Sequence, residues 1–393
     1  MQAKYRSHPP GAAKRPSQGG HPSLYIHIPF CARKCAYCDF YSVMYESAAA
    51  KAYMDVLCGQ VSKIERPVST IFIGGGTPTV LETPLLKKLL RRLGKHSGKG
   101  AEFTVEANPE SLTADKISLF LDEGVNRISI GAQSFRDVKL KDLGRIHNAR
   151  KARNAVLEAS KKGFRNINAD LIFGVPGETF EECAAEFREA VKLPVTHLSC
   201  YCLSFEKGTP LYEAKRKGGV APVEEGYVAR MYSYAMSFLP ERGFAHYEVS
   251  NFAKKGYACR HNLNYWENRE YIGIGASAVS YLDGVRKRSL PDVNEYIKRA
   301  SSGASTAISS ERLAGERKAR ETAAVKIRTA EGINFRWFRD VTGFDLMELE
   351  PDAMRKLSEA GLIKFGMSKG RRTGISLTKR GFLFCDTVSS ELL

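Results

Sequence analysis

An α/β fold is predicted: a partial barrel of six βα units, followed by a smaller C-terminal domain of helices with a winged-helix-like pair of strands. Three observations predict it. Between residues 23 and 205, six β-prone runs alternate with five helical stretches, the pattern of parallel βα units. Each loop here that is rich in cysteine, glycine or polar groups follows a strand, and such folds carry their sites at the C-terminal ends of strands. Beyond residue 205 the alternation weakens, and past residue 301 helix-like stretches dominate.

Leu24 to Ile28 is a β-prone run that stops at Pro29. Glu46 to Ile64 is alanine-rich, with Tyr53, Val56, Leu57 and Val61 at helical spacing. Ser69 to Gly74 is a strand running into the glycine turn Gly74–Thr79. Pro84 to Leu93 carries leucines at helical spacing, and Phe103 to Ala107 is a strand ending at Asn108-Pro109. Thr113 caps a helix to Glu123, and Gly124 stops it. Arg127 to Ala132 is a strand, Ala149 to Lys162 a helix and Asn166 to Phe173 the fifth strand. Thr179 to Leu193 is a helix and His197 to Leu203 the sixth strand. Further on, Val223 to Leu239 reads as a helix, Ala245–Ser250 as a strand, and Tyr271–Ser280 as one glycine-rich strand. Ser301–Ser310 has the composition of a linker. Helices follow over Glu311–Arg328, Phe335–Val341 and Asp352–Ala360, then a hairpin of Leu362–Phe365 with Gly374–Leu377 and a last helix from Thr378.

The 393 residues divide into an arm over 1–22, the barrel over 23–205, an extension over 206–300 and the C-terminal domain over 301–393. The arm is Gly, Pro, Ser and basic residues, so it reads as disordered rather than as a secretory signal. No apolar run approaches the roughly 20 residues that cross a bilayer. The net charge of +17 comes from 60 Lys+Arg against 43 Asp+Glu. These cations are scattered, with no tight run among aromatics, so no nucleic-acid partner is expected. An anionic small substrate or a peripheral contact with an anionic membrane fits the charge equally.

Three of the nine cysteines, Cys31, Cys35 and Cys38, follow the first strand at C-x3-C-x2-C spacing. Three thiolates this close converge on one soft-metal centre. A structural zinc site wants four ligands, whereas three thiolates on a four-iron cluster leave one iron open for chemistry. A zinc site borrowing a distant ligand, or three ordinary buried cysteines, are the alternatives. The other cysteines share no spacing and read as small buried apolar residues. An oxygen-sensitive cluster needs a reducing compartment, so a cytoplasmic location is expected.

Glycines at Gly74–Gly76 let backbone approach a ligand closely, with their amides and the Thr77 hydroxyl facing an amino acid's polar groups. Glu106 ends a strand as a carboxylate that needs a cation or ligand hydroxyls as partner. Gln133, Arg145 and Asp170 fall at or just beyond strand ends and outline one polar pocket with it. His147 is a weaker candidate for that pocket. His261 offers a neutral imidazole as a metal ligand, with Tyr265 and Trp266 as flat apolar packing partners beside it. A hydrogen-bonded structural histidine and a core tryptophan are the plain alternative.

The cysteine loop resembles that of the radical S-adenosylmethionine (SAM) enzymes. The ordered set Tyr25–Tyr41, Gly74–Thr79, Glu106-Ala-Asn-Pro, Gly131-Ala-Gln-Ser-Phe135, Asn168–Gly177 and Tyr271–Ala276 resembles the oxygen-independent coproporphyrinogen dehydrogenase family within that superfamily. The resemblance covers nearly the whole chain and implies a radical-SAM partial (β/α)6 barrel. It implies a [4Fe–4S] cluster on Cys31, Cys35 and Cys38. It implies SAM contacts from Tyr25, Tyr37, Gly75, Gly76, Thr77, Glu106, Gln133, Arg145 and Asp170. An electron from the cluster would cleave SAM to methionine and a 5′-deoxyadenosyl radical.

That family has two branches. The decarboxylating enzymes carry a further cysteine two residues after the third, where this chain has Phe40, and a longer N-terminal arm. The haem-chaperone branch has the C-D-F continuation and an H-N-x-x-Y-W segment, here His261–Trp266. The expected function is therefore haem chaperone, with SAM cleavage retained; oxidative decarboxylation of coproporphyrinogen III is the alternative. The partners implied are haem, SAM, recipient haem proteins of the respiratory chain, and an electron donor such as flavodoxin or ferredoxin. A dimer is compatible with this reading.

Overall fold

A computed structural model describes residues 21–393, so the expected basic arm lies outside the described residues except for His21 and Pro22. Six strands carry the barrel: β1 (Ser23–Ile28), β2 (Val68–Gly75), β3 (Ser97–Ala107), β4 (Arg127–Gln133), β5 (Asn166–Phe173) and β6 (His197–Cys202). Later come β7 (Ala245–Glu248), β8 (Asn251–Ala253), β9 (Tyr271–Ile274), β10 (Val279–Leu282), β11 (Val285–Ser289) and β12 (Ala307–Arg312). Among the described residues these form one twelve-stranded sheet in the order β12-β11-β10-β9-β1-β2-β3-β4-β5-β6-β8-β7. β1 through β6 run parallel in sequence order, and β9 joins them as a seventh parallel strand beside β1. The outer strands are antiparallel additions, and the sheet stays open.

Strand alternation sorts the chemistry. Leu24, Ile26, Ile71, Ile73, Val105, Ile128, Ile130 and Ile167 are buried in one core with Leu57 of the helix Ser47–Val61 and Leu89 of the helix Thr83–Gly94. The alternate residues share the other face: Tyr25 lies opposite Phe72, Phe72 opposite Thr104, Glu106 opposite Ser129, Ser129 opposite Asn168, and Asp170 opposite Ser199. A parallel sheet covered by helices on both faces reads as continuously apolar. Here one face is polar and cross-linked, with Asn168 donating to Ser129 at 2.7 Å and to Ser199 at 3.0 Å.

Beyond the barrel two expectations are corrected, the single strand over Tyr271–Ser280 and the linker over Ser301–Ser310, and two segments gain detail. The run Tyr271–Ser280 is two strands, β9 and β10, because Gly275 (φ +120) and Ser277 (φ 64) turn the chain between them. Ala245–Ser250 opens a short hairpin, β7 with β8. The segment at His261 is a helix, Arg260–Trp266. Ser301–Ser310 is not a free linker: it holds the end of the helix Val293–Ser301 and the start of edge strand β12. The sheet therefore continues past residues 205 and 300.

A second core gathers Ala323, Ile327, Phe338, Leu357, Ile375 and Val388. It includes a three-stranded sheet of β13 (Ile333–Asn334), β14 (Ile363–Ser368) and β15 (Arg371–Leu377) in the order β13-β15-β14, the expected wing. Among the described residues no helix is long and apolar enough to cross a membrane.

Candidate functional site

The cysteine loop leaves β1 at Pro29 and is folded back on itself. Phe30–Cys31 pairs in parallel with Val43–Met44, and the Tyr45 amide donates to the Cys31 carbonyl at 2.9 Å. Its tip is anchored too: the Ala36 amide donates to the Leu143 carbonyl, and the Leu211 amide to the Ala36 carbonyl. Cys31, Cys35, Tyr37 and Cys38 are all half-buried, so these cysteines do not belong to a packed core. Cys58, Cys183, Cys200, Cys259 and Cys385 are buried as expected, but Cys202 is exposed.

A closed circuit of hydrogen bonds ties this loop to the strand ends. Thr77 Oγ1 donates to Cys31 Sγ at 3.5 Å, and Asn108 Nδ2 donates to Thr77 Oγ1 at 2.8 Å. Arg145 Nη2 donates to Asn108 Oδ1 at 2.7 Å, while Arg145 Nη1 donates to Cys35 Sγ at 3.3 Å. Two of the three sulfurs thus face donors suited to a thiolate. Burial pushes the thiols of Cys31 and Cys38 up, Cys38 to about 11, so metal must displace their protons on binding. Among the described residues no three His, Cys, Asp or Glu side chains close around a single ion.

The glycine turn is dictated by contact. A Cβ on Gly75 (φ +117) would sit 2.6 Å from His27 Cε1, and one on Gly76 would sit 2.7 Å from the Phe30 carbonyl oxygen and 3.0 Å from Cys31 Sγ. One expectation is corrected here. The amides of this turn are already engaged, Gly75 with Glu106 Oε2 at 3.2 Å, Gly76 with the Ile28 carbonyl and Thr77 with the Phe30 carbonyl. They hold the cysteine loop against β2 and are not open to a ligand.

Glu106 and Asp170 bring two carboxyls to one polar surface. Burial, then the nearby Asp170, pushes Glu106 up to about 8, and burial raises Asp170 as well. Both stay half-buried, with Asp170 Oδ1 accepting from Asn168 Nδ2 at 2.7 Å. Such a pair calls for a cation or for hydroxyl donors. Tyr25 meets His27 Nδ1 at 3.0 Å from β1, and burial pushes its phenol and that of Tyr37 up. Gln133 takes φ 61 where β4 slips register against β5, a strained backbone of the kind found at ligand sites. The Gly131 carbonyl just before it accepts from Arg145 Nη2 at 3.2 Å.

Sequence reasoning missed two supports, Asn108 and Lys139, and misassigned a third, His147. Asn108, inside the quoted Glu106-Ala-Asn-Pro motif, is the link between Thr77 and Arg145. Lys139 is buried between Glu178 and Glu186, and Glu186 also accepts from the Phe135 amide at 2.6 Å. This fixes the loop after β4 against the loop after β5. His147 is a prop and not a pocket residue: Nδ1 meets Glu110 at 3.0 Å and Nε2 meets the Ala132 carbonyl at 3.1 Å. Only Asn108 carried a local sequence signal.

The helix Arg260–Trp266 starts on a buried carboxylate from β3. Glu102 accepts from the amides of Arg260 at 3.0 Å and His261 at 3.1 Å, four turnless residues' worth of donors being otherwise unmet at a helix start. His261 is only 1% exposed and stacks on Phe72 at 5.0 Å. Its Nδ1 lies 2.6 Å from Thr70 Oγ1 and its Nε2 lies 3.0 Å from the Tyr265 hydroxyl. Thr70 donates onward to Ser23 at 2.8 Å, which assigns the ring proton to Nδ1 and leaves Nε2 accepting from Tyr265. Burial, then Arg127, lowers the imidazole to about 3, so it is neutral. The expected open nitrogen is therefore corrected: it is present but covered. Tyr265 and Trp266 are half-buried, and the Arg328 guanidinium lies 5.5 Å from the Trp266 ring centre.

Residues 25–190 match the family model described as the Radical SAM superfamily. The chain is 35% identical over 379 residues to the heme chaperone HemW of Bacillus subtilis (strain 168), covering 94% of this chain and 99% of that one. It is 41% identical over 275 residues to the heme chaperone HemW of Escherichia coli (strain K12), covering 67% and 71%. Coproporphyrinogen III oxidase (HemN) from Escherichia coli, a radical SAM enzyme, superposes with a TM-score of 0.80 over 95% of this chain and 90% of that one; at 20% identity this establishes the shared fold. The chain belongs to the radical SAM superfamily and, within it, to the heme chaperone HemW family.

Proposed function

We propose that the strand-end surface holds a [4Fe–4S] cluster on Cys31, Cys35 and Cys38 with SAM beside it, and that the protein carries haem as cargo to haem proteins of the respiratory chain. The circuit Cys31–Thr77–Asn108–Arg145–Cys35 supports the cluster and SAM assignment, because it joins the cysteine loop to three further strand-end loops. When bound, the cluster supplies an open iron and an electron, and SAM the sulfonium that the electron reduces. Arg145 and Thr77 steady the thiolates through donated hydrogen bonds, the outer-shell role that tunes a metal centre. Glu106 and Asp170 present negative potential and acceptors toward a cationic, hydroxyl-bearing ligand. Phe40, 66% exposed, stands where the decarboxylating branch has its extra cysteine.

The haem element we propose is the helix Arg260–Trp266. Ligation by His261 requires the Tyr265 hydroxyl to leave Nε2, while Thr70 keeps Nδ1 as the second partner that a metal-bound histidine needs. The reading is tested on anaerobically reconstituted protein. Parent protein is expected to bind haem and pass it to an apo-cytochrome, and to form no protoporphyrinogen from coproporphyrinogen III with SAM. Cys35→Ala is expected to lose cluster iron and SAM cleavage. Turnover of coproporphyrinogen, or unchanged iron in Cys35→Ala, would overturn it.

A further inference from the structure

We propose that the wing hairpin β14–β15 is a docking surface for an anionic phospholipid membrane. From Lys318 to Lys356 every lysine and arginine lies within 4.0 Å of a carboxylate. The pattern then breaks. Between Ala360 and Cys385 there is no Asp or Glu, while Lys364, Lys369, Arg371, Arg372, Lys379 and Arg380 are all exposed. None of the six forms an ion pair among the described residues. Four of the six, Lys364, Lys369, Arg371 and Arg372, lie on the hairpin, and Lys379 and Arg380 start the short helix Lys379–Leu383 that follows it.

The hairpin is also stiff at its tip. Ser368 pairs with Arg371, and Lys369 (φ 47) and Gly370 (φ 75) make the two-residue turn, both in the left-handed region that a type I′ turn requires. Met367, 61% exposed, adds an apolar side chain beside the tip. Arg372 is held with its guanidinium carbon 3.9 Å from the centre of the Phe365 ring. Cations around an apolar tip suit a lipid surface, which takes the charges at its phosphates and the thioether among its headgroups. A nucleic-acid duplex suits it less. The helix before the wing, Pro351–Glu359, balances Arg355 and Lys356 against Asp352 and Glu359, and both cations face carboxylates. This inference does not depend on the haem-chaperone reading.

The test floats the full-length holoprotein with vesicles of phosphatidylglycerol and phosphatidylcholine in equal parts, and with phosphatidylcholine alone. Binding is expected to the anionic vesicles only, and raised salt is expected to reverse it. The triple variant Lys369→Gln, Arg371→Gln, Arg372→Gln is expected to bind on the order of a hundredfold more weakly, at about fivefold per cation. Its cluster iron and SAM binding are expected to match the parent. A triple variant that floats like the parent overturns the proposal. So does a parent indifferent to anionic lipid, or one that prefers a nucleic-acid duplex through these same residues.

Discussion

Arg145 and His261 are both polar residues beside the barrel strands, yet the structure holds them in opposite ways. Arg145 is half-buried and lends its guanidinium to two loops, at Cys35 and Asn108, and to the end of β4 at Gly131. His261 is sealed, with one nitrogen on Thr70 and the other on Tyr265. The first is a hub that already performs its part; the second must open before it can perform one. What separates them is not residue type but whether any valence remains free.

Breaking the hub is the largest effect expected. Arg145→Ala leaves the Asn108 side-chain oxygen and the Gly131 carbonyl short of a donor, a loss of about 2–4 kcal/mol in stability. SAM binding is expected to fall by at least tenfold, measured on protein with intact cluster iron. Arg145→Lys keeps the charge but not the fork that reaches two partners, so it is expected to recover only part of the affinity. Full affinity in Arg145→Ala would make the circuit a crystal of convenience among side chains and not a support for the site.

The second contrast concerns pH. Glu106 is raised to about 8 in the fold, chiefly by burial and then by Asp170. Unfolded, it titrates near 4.5. Between those values the native state keeps a proton that the unfolded chain has lost, so stability falls as pH rises from about 4.5 to about 8. Glu106→Gln removes that slope. Denaturant midpoints of metal-free protein are expected to drop less across this window in Glu106→Gln than in the parent. Parallel profiles would show that Glu106 is already ionised in the fold. His261 acts in the opposite sense: lowered to about 3 in the fold and titrating near 6.5 unfolded, it adds stability as pH rises toward 6.5, equally in both proteins, so it cancels in the comparison.

The difference between hub and seal also explains what was readable beforehand. The barrel strands end at local marks, Pro29, the Gly74–Gly76 turn, Asn108-Pro109 and Gly174, so their positions follow from neighbouring residues. The cysteines and glycines of the site are likewise local. Asn108 stood inside a recognised motif, but its role rests on Arg145, 37 residues on. Lys139 meets Glu178 and Glu186 across 39 and 47 residues, and no local pattern announces such a cluster. The helix at His261 is seven residues long and starts on Glu102, 158 residues before Arg260, so periodicity had too little to work with. Ser301–Ser310 has a loop's composition, and pairing with β11 overrides it in β12.

The smallest expected effect bears most directly on the seal. In Tyr265→Phe the ring keeps its place, and only the hydroxyl covering Nε2 is removed. If haem reaches His261 by displacing that hydroxyl, removing it spares about 1 kcal/mol and tightens haem binding roughly fivefold. His261→Ala is expected to cost about 2–4 kcal/mol of stability, since it empties a buried site and strips Thr70 of a partner. That loss alone says nothing about iron, because a purely structural histidine would show it too. The haem spectrum discriminates. Ligation moves the Soret band in His261→Ala and sharpens affinity in Tyr265→Phe. A structural histidine leaves both haem readouts at parental values while the stability still falls, and the seal would then be the whole of its role.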